Sequence, residues 1–354
     1  MGDYLKRGEF KPILANAIKK NGRWWSILNY IINSSSDFDV QVRANYLNIY
    51  YAGGNILRIN PKSLFVDEFY FHTDIDEKDR NTRKSVIVDK AKHGNKRAQG
   101  IIEELKKKRD GVKAVIEVGN ASDEAVRFYF DTMKEQMEKW ERVLFDKLVK
   151  DEEKQILPSG DYAEKCIFHK EKAVQHKISL SNRSFADSEL VVIDLEYAVS
   201  DLAEYADDNE NSEERIKHPR FDIIAIDKNG RLHVLELKYG LGATGIYNPG
   251  ESDSDISGHV KKFEITVGGE KHNEFIDDVK SIVSRKSEME LLDLQGVEVS
   301  EEQPLFDLVY ADPGNVNVGV VKEFVESNIN RTKKRIANIW SINTLEGYKL
   351  NKIV

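Results

Sequence analysis

The first clear hydrophobic period runs over Asn45–Tyr51, followed by Ile56–Ile59 and Leu64–Phe71. These β-branched and aromatic runs are separated by Ala52-Gly53-Gly54-Asn55 and Asn60-Pro61, which predicts an antiparallel meander. A basic stretch of helical character follows, ending at Arg109 before Gly111. A long helix is predicted from about Ser122 to Lys150: Asn120-Ala121-Ser122 offers a cap, and Val126, Phe130, Met133, Met137, Trp140, Leu144 and Leu148 recur at three- and four-residue steps. That stripe reads as core packing.

Leu157-Pro158-Ser159-Gly160 breaks the pattern and divides the chain into residues 1–158 and 159–354. Beyond it the pattern predicts a helix over Asp161–Ile178 and strands over Leu190–Val199, Arg220–Ile226 and Leu232–Tyr239. Helices are expected near His259–Glu264 and Phe275–Ser284, then a strand at Phe306–Tyr310, a basic helix at Val321–Ile336 and a closing strand at Asn338–Ile342. The whole reads as α/β (α+β overall). A mixed sheet flanked by helices is preceded by an N-terminal domain with a β-meander and a long helix. No internal repeat is visible, which argues against solenoids and propellers.

Composition narrows the class. No run approaches the ~18 apolar residues of a membrane helix, and the N-terminal stretch has no secretory apolar core, so no membrane partner is expected. The single cysteine, Cys166, excludes an internal disulfide and cysteine-rich zinc sites, and a reducing cytoplasm is the expected compartment. The net charge is −8, yet Arg80–Lys113 carries twelve Lys/Arg against four acids, +8 locally. Such asymmetry permits a polyanion partner; a solvated helix face is the competing reading.

The chemistry concentrates on one predicted hairpin. Asp222, Glu236 and Lys238 interrupt apolar strands, where uncompensated charge is costly. If Lys228-Asn229-Gly230 forms a three-residue loop with glycine in the left-handed position, Asp227 pairs with Arg231. Asp222 then lies opposite Glu236, Ile224 lies opposite Val234, and Lys238 projects from the face of Glu236. Two adjacent carboxylates suit Mg²⁺ or Mn²⁺, and a neighbouring lysine can stabilise phosphate charge or help orient and deprotonate water. An ion pair at the end of an ordinary hairpin is the alternative. Gly240-Leu-Gly242-Ala-Thr-Gly245 matches a dinucleotide-binding pattern, but Pro249-Gly250 leaves no room for the helix it must open, so it reads as a loop over the site.

Asp222, thirteen intervening residues and then Glu236-Leu237-Lys238 in an apolar strand resemble the PD-(D/E)XK nuclease superfamily, the restriction-endonuclease-like fold. Glu-x-Lys occurs four times, but only the one at Glu236 sits in an apolar strand with a partner acid on a preceding strand. The proline that usually precedes the aspartate is replaced by Pro219, three residues upstream. The resemblance covers the second half of the chain. It implies a metal-dependent nuclease, with DNA favoured over RNA, and a homodimer where both strands are cut. Asp222, Glu236 and the Leu237 carbonyl would bind Mg²⁺ (or Mn²⁺), and Lys238 would assist the nucleophilic water. His259, Lys261 and Lys262 would reach phosphates. The superfamily often adds an acid from its first helix. Glu171 is the choice because it shares a face with Ile167, Val174 and Ile178. Glu164 and Glu196 are weaker candidates. The rival is a non-catalytic nuclease-like module that binds nucleic acid or a protein partner.

Overall fold

A computed structural model describes residues 7–8, 10–34, 37–66, 90–117, 121–152, 161–199, 220–239, 256–312, 336–343 and 347–353. The chain divides into two compact units, Phe10–Ser159 and Met1–Glu9 together with Gly160–Val354. The first nine residues therefore group with the later unit, which a single cut at 158/159 does not anticipate.

In the Phe10–Ser159 unit, helices α1 (Pro12–Ile18) and α2 (Trp25–Asn33) precede strands β1 (Asp39–Arg43), β2 (Tyr46–Tyr51), β3 (Gly54–Ile59) and β4 (Leu64–Phe65). The strands form an antiparallel meander in sequence order. Its tightest turn places Ala52 and Gly53 at φ 47° and 83°, the two positive values that a twisted two-residue hairpin requires. Helices α1, α2 and strand β1 carry no clear period in sequence and were not expected. Helix α3 (Lys96–Glu117) runs through Gly111 instead of ending before it; a single interior glycine costs about 1 kcal/mol, too little to stop a helix of this length. Helix α4 (Asp123–Glu152) starts where the cap predicts, with Ser122 Oγ accepting the Ala125 N–H at 3.2 Å. Val126, Phe130 and Met133 on its stripe are fully buried, and the Phe130 ring stacks on Tyr30 at 5.1 Å.

The second unit holds helix α5 (Asp161–Ser181), strands β5 (Leu190–Ala198), β6 (Arg220–Asp227) and β7 (Leu232–Tyr239), helices α6 (Ile256–Ile265) and α7 (His272–Glu288), and strands β8 (Leu305–Asp312), β9 (Asn338–Asn343) and β10 (Asn351–Lys352). The sheet order is β10-β9-β8-β7-β6-β5. Strands β5, β6 and β7 are antiparallel neighbours, β7, β8 and β9 are parallel, and β10 returns antiparallel. The change to parallel pairing needs a long crossover, and α6 and α7 lie within it. Strand β10 adds an edge beyond the strand expected to close the chain.

One face of this sheet, including Leu235, Leu237, Ile223, Ala225 and Val309, buries Val174 and Ile178 of α5. On the other side Phe263 of α6 meets Phe221 and Phe306, and Phe275 of α7 meets Tyr197 edge-on. Along β7 successive residues alternate between these faces, so Val234 and Glu236 turn away from the Leu235 and Leu237 layer. Among the described residues no helix is long and apolar enough to cross a membrane. The basic helix expected at 321–336, the loop at 240–255 and the segment at 80–89 lie outside the described residues, apart from Ile336, which is not helical.

Candidate active site

The β6–β7 hairpin sets the geometry. Gly230 N donates to Asp227 O and Asp227 N to Arg231 O, both at 3.0 Å, closing a three-residue loop over Lys228-Asn229-Gly230. Gly230 has φ +84°, and a Cβ there would stand 2.1 Å from the Glu298 carbonyl oxygen, so both backbone conformation and space call for glycine. Asp227 Oδ1 accepts the N–H groups of Asn229 and Arg231 at 2.8 and 2.9 Å. The resulting register pairs Ile226 with Leu232, Ala225 with His233, Ile224 with Val234 and Ile223 with Leu235.

Continuing this register by one step would set Asp222 opposite Glu236, but the observed pairs end at Ile223 and Leu235. The paired ladder has ended there, and Asp222 Oδ2 accepts the Leu237 N–H at 2.9 Å. A side chain thus satisfies a backbone donor where the strands part. Glu236 is buried, with Lys238 Nζ donating to its Oε1 at 2.6 Å and His259 Nδ1 standing 3.0 Å from its Oε2. Oε2 itself is shielded from solvent, with His259 as its ion-pair partner.

The electrostatics separate the acids. Burial pushes the Asp222 carboxyl well above its ordinary value, and the charges of Glu236 and Glu171 push the same way against the Leu237 N–H. Glu236 goes the other way: burial would raise it, but Lys238 and His259 hold it below the usual range. Lys238 is held above its ordinary value because Glu236, Asp222 and Glu171 outweigh the burial that opposes its charge. Burial raises Glu171, with Glu236 and Glu196 adding to it and Lys238 and Lys172 opposing. The structure therefore brings Asp222, Glu236, Lys238 and Glu171 within electrostatic reach of one another and adds His259 to Glu236. Lys261 is exposed and Lys262 half-buried on the same helix. The side chain of Glu164 lies outside the described ones.

Glu196 does not point freely to solvent. It adopts φ +49° in β5, and its carboxylate lies 3.3 Å from Lys172 and 3.9 Å from Arg220. Those cations, with His176, hold it below its ordinary value although burial alone would raise it. Two further polar clusters escaped sequence reasoning. Arg7 pairs with the fully buried Asp194, donates to Glu196 O at 2.9 Å and lies over the Tyr197 ring, whose hydroxyl donates to Asp278 at 2.8 Å. Asp307 is fully buried and takes Trp340 Nε1 at 2.8 Å, His233 Nδ1 at 2.6 Å and both nitrogens of Asn338. An aspartate interrupting the apolar run Leu305–Tyr310 was the available signal for the second cluster. The first spans 187 residues and left none.

Among the described residues no three His, Cys, Asp or Glu side chains converge at ligand distance. The carboxylates of Asp222 and Glu236 and the Leu237 carbonyl are oxygen donors of the kind that could hold a hard divalent cation, an ion that retains several waters. No family model matches the chain, and no curated protein or solved structure is similar to it.

Proposed function

We propose that this protein is a divalent-metal-dependent nuclease of the PD-(D/E)XK kind that hydrolyses phosphodiester bonds of nucleic acid, DNA in preference to RNA. The observation that carries the reading is that Asp222 accepts the N–H of Leu237, the residue between Glu236 and Lys238, whose side chains bond each other. The sheet is in keeping with it: a helix, three antiparallel strands, two helices and a parallel strand follow one another, where the superfamily resembled has a helix, three strands, a helix and a strand.

In this reading Asp222, Glu236 and the Leu237 carbonyl would hold Mg²⁺ or Mn²⁺, which supplies Lewis-acid polarisation of a phosphoryl oxygen and a more acidic water. Lys238 stays protonated beside three carboxylates, so it serves as a donor that orients water or stabilises charge developing on phosphate rather than as a base. Glu171, raised by burial, is suited to take a proton from the attacking water. Lys261 and Lys262 offer phosphate contacts, and the basic helix α3 is a second candidate surface for a polyanion. Cutting both strands of a duplex would call for two copies of the site, and hence a homodimer.

The test is cleavage of circular, linear and single-stranded DNA and of RNA with Mg²⁺, Mn²⁺ or EDTA. The native chain is expected to give metal-dependent products. Glu236→Gln and Lys238→Met should each lose at least ~10²-fold in rate. No cleavage together with metal-insensitive nucleic-acid binding would replace this reading with that of a binding module.

A further inference from the structure

The β1–β4 meander carries a charge pattern unlike that of the chain as a whole, whose net charge is −8. From Val40 to Val66 there is no Asp or Glu, whereas Arg43, Arg58 and Lys62 are basic and Tyr46, Tyr50, Tyr51 and Phe65 aromatic. Cross-strand register sorts these residues by face. Val42, Leu47, Ile59 and Leu64 align in one row and are buried as an apolar layer. The neighbouring row, Gln41, Asn48, Arg58 and Phe65, turns to the opposite face. There the Arg58 guanidinium lies over the Tyr46 ring at 4.7 Å and the Phe65 ring at 5.4 Å. Its Nε donates to Asn48 Oδ1 at 3.4 Å, and among the described residues no carboxylate pairs with it. The one acid of the sheet, Asp39, is buried and accepts a bond from Gln41 Nε2 at 2.7 Å. Phe65 is 48% exposed. Exposed Lys62 stands on the β3–β4 turn, and exposed Lys11 donates its backbone N–H to Asn45 on the β1–β2 turn, at the same end of the meander.

We propose that this face of the meander binds single-stranded nucleic acid, with a base stacked on Phe65 and neighbouring phosphates on Arg58 and Lys62. An exposed ring stacks on a base of any sequence, and a guanidinium without a carboxylate has a phosphate as its natural counter-ion. A duplex keeps its base faces inside the stack, so only a single strand can use the ring and the cations together. The platform lies wholly within the Phe10–Ser159 unit. It does not rest on the nuclease reading, since a nuclease and a binding module could both carry it.

The experiment is fluorescence anisotropy of a labelled oligothymidine with the full-length chain in EDTA, repeated over a range of salt concentrations. A duplex and an abasic strand of matching charge serve as competitors. The native chain is expected to bind the single strand at least ~10-fold more tightly than either competitor. Phe65→Ala should weaken binding of oligothymidine at least ~5-fold and leave the abasic strand unaffected. Arg58→Met should reduce the slope of log affinity against log salt by about 0.7, the loss of one phosphate contact. Lys62→Met, at an exposed turn position, should do the same and serves should Arg58→Met alter folding. Phe128→Ala, which removes a ring that is 57% exposed on α4, should bind as the native chain does. Native affinity in Phe65→Ala, or a duplex bound as tightly as the single strand, overturns the inference. Because EDTA excludes the metal, neither result bears on cleavage, and a loss of cleavage in Glu236→Gln leaves the platform standing.

Discussion

Glu196 shows how single charges around the site are balanced. Its carboxylate is depressed in the folded chain, mainly by Lys172 and Arg220 working against burial. A depressed acid contributes stability that is present above its unfolded value and is lost as pH falls through the folded one. Replacing Lys172 with methionine removes the nearest cation, so the folded value rises toward the unfolded one. The variant should then be less stable near neutral pH and show a shallower acid limb, with the two curves of urea midpoint against pH converging as pH falls. An unchanged limb would show that Arg220 and His176 carry the effect alone. Asp222 has the opposite sign, being raised by burial and by its acidic neighbours. A dication is the natural counter-charge for such a group, and one carboxylate held up beside another held down is a pattern typical of functional sites.

At the scale of elements, the β6–β7 turn determines whether those charges meet. A one-residue slip would send Glu236 and Lys238 to the opposite face and bring Leu237 into the site. Gly230→Ala meets both a left-handed backbone and the Glu298 carbonyl. It should cost about 1–3 kcal/mol in urea unfolding and lower activity along with stability. This turn was legible from Lys228-Asn229-Gly230 and the apolar alternation on either side, and so was the register that follows from it. The long helix α4 was legible for the same reason, since a sustained three- and four-residue period and a serine cap are local signals. Helices α1 and α2 are seven and nine residues long, too short for periodicity to stand out. His259 was noticed as a phosphate contact, but nothing local ties it to Glu236, because the sheet alone brings α6 over β7. Buried Asp194 and Asp307 were missed because their partners come from distant stretches of chain.

At the scale of the whole molecule, the unit that carries the candidate site is assembled from both ends of the sequence, with Phe10–Ser159 inserted between its pieces. Arg7 does more than extend the chain: it neutralises an aspartate with no solvent access and braces the backbone of Glu196. Arg7→Met should therefore cost about 3–5 kcal/mol in the unfolding transition of this unit, as expected when one partner of a buried pair is removed. Adding Asp194→Leu should restore much of that loss, and a double-mutant cycle measures the coupling. Simple additivity of the two changes would show that the pair is not what stabilises this junction. The same arrangement has a consequence in time. Arg7 leaves the ribosome 187 residues before Asp194, an interval of about 10–40 s at ordinary rates of synthesis. Through that interval the inserted unit is completed while Arg7 waits for its partner. Nascent chains arrested before β5 emerges should therefore expose the N-terminal segment to protease, and chains released after α7 should protect it.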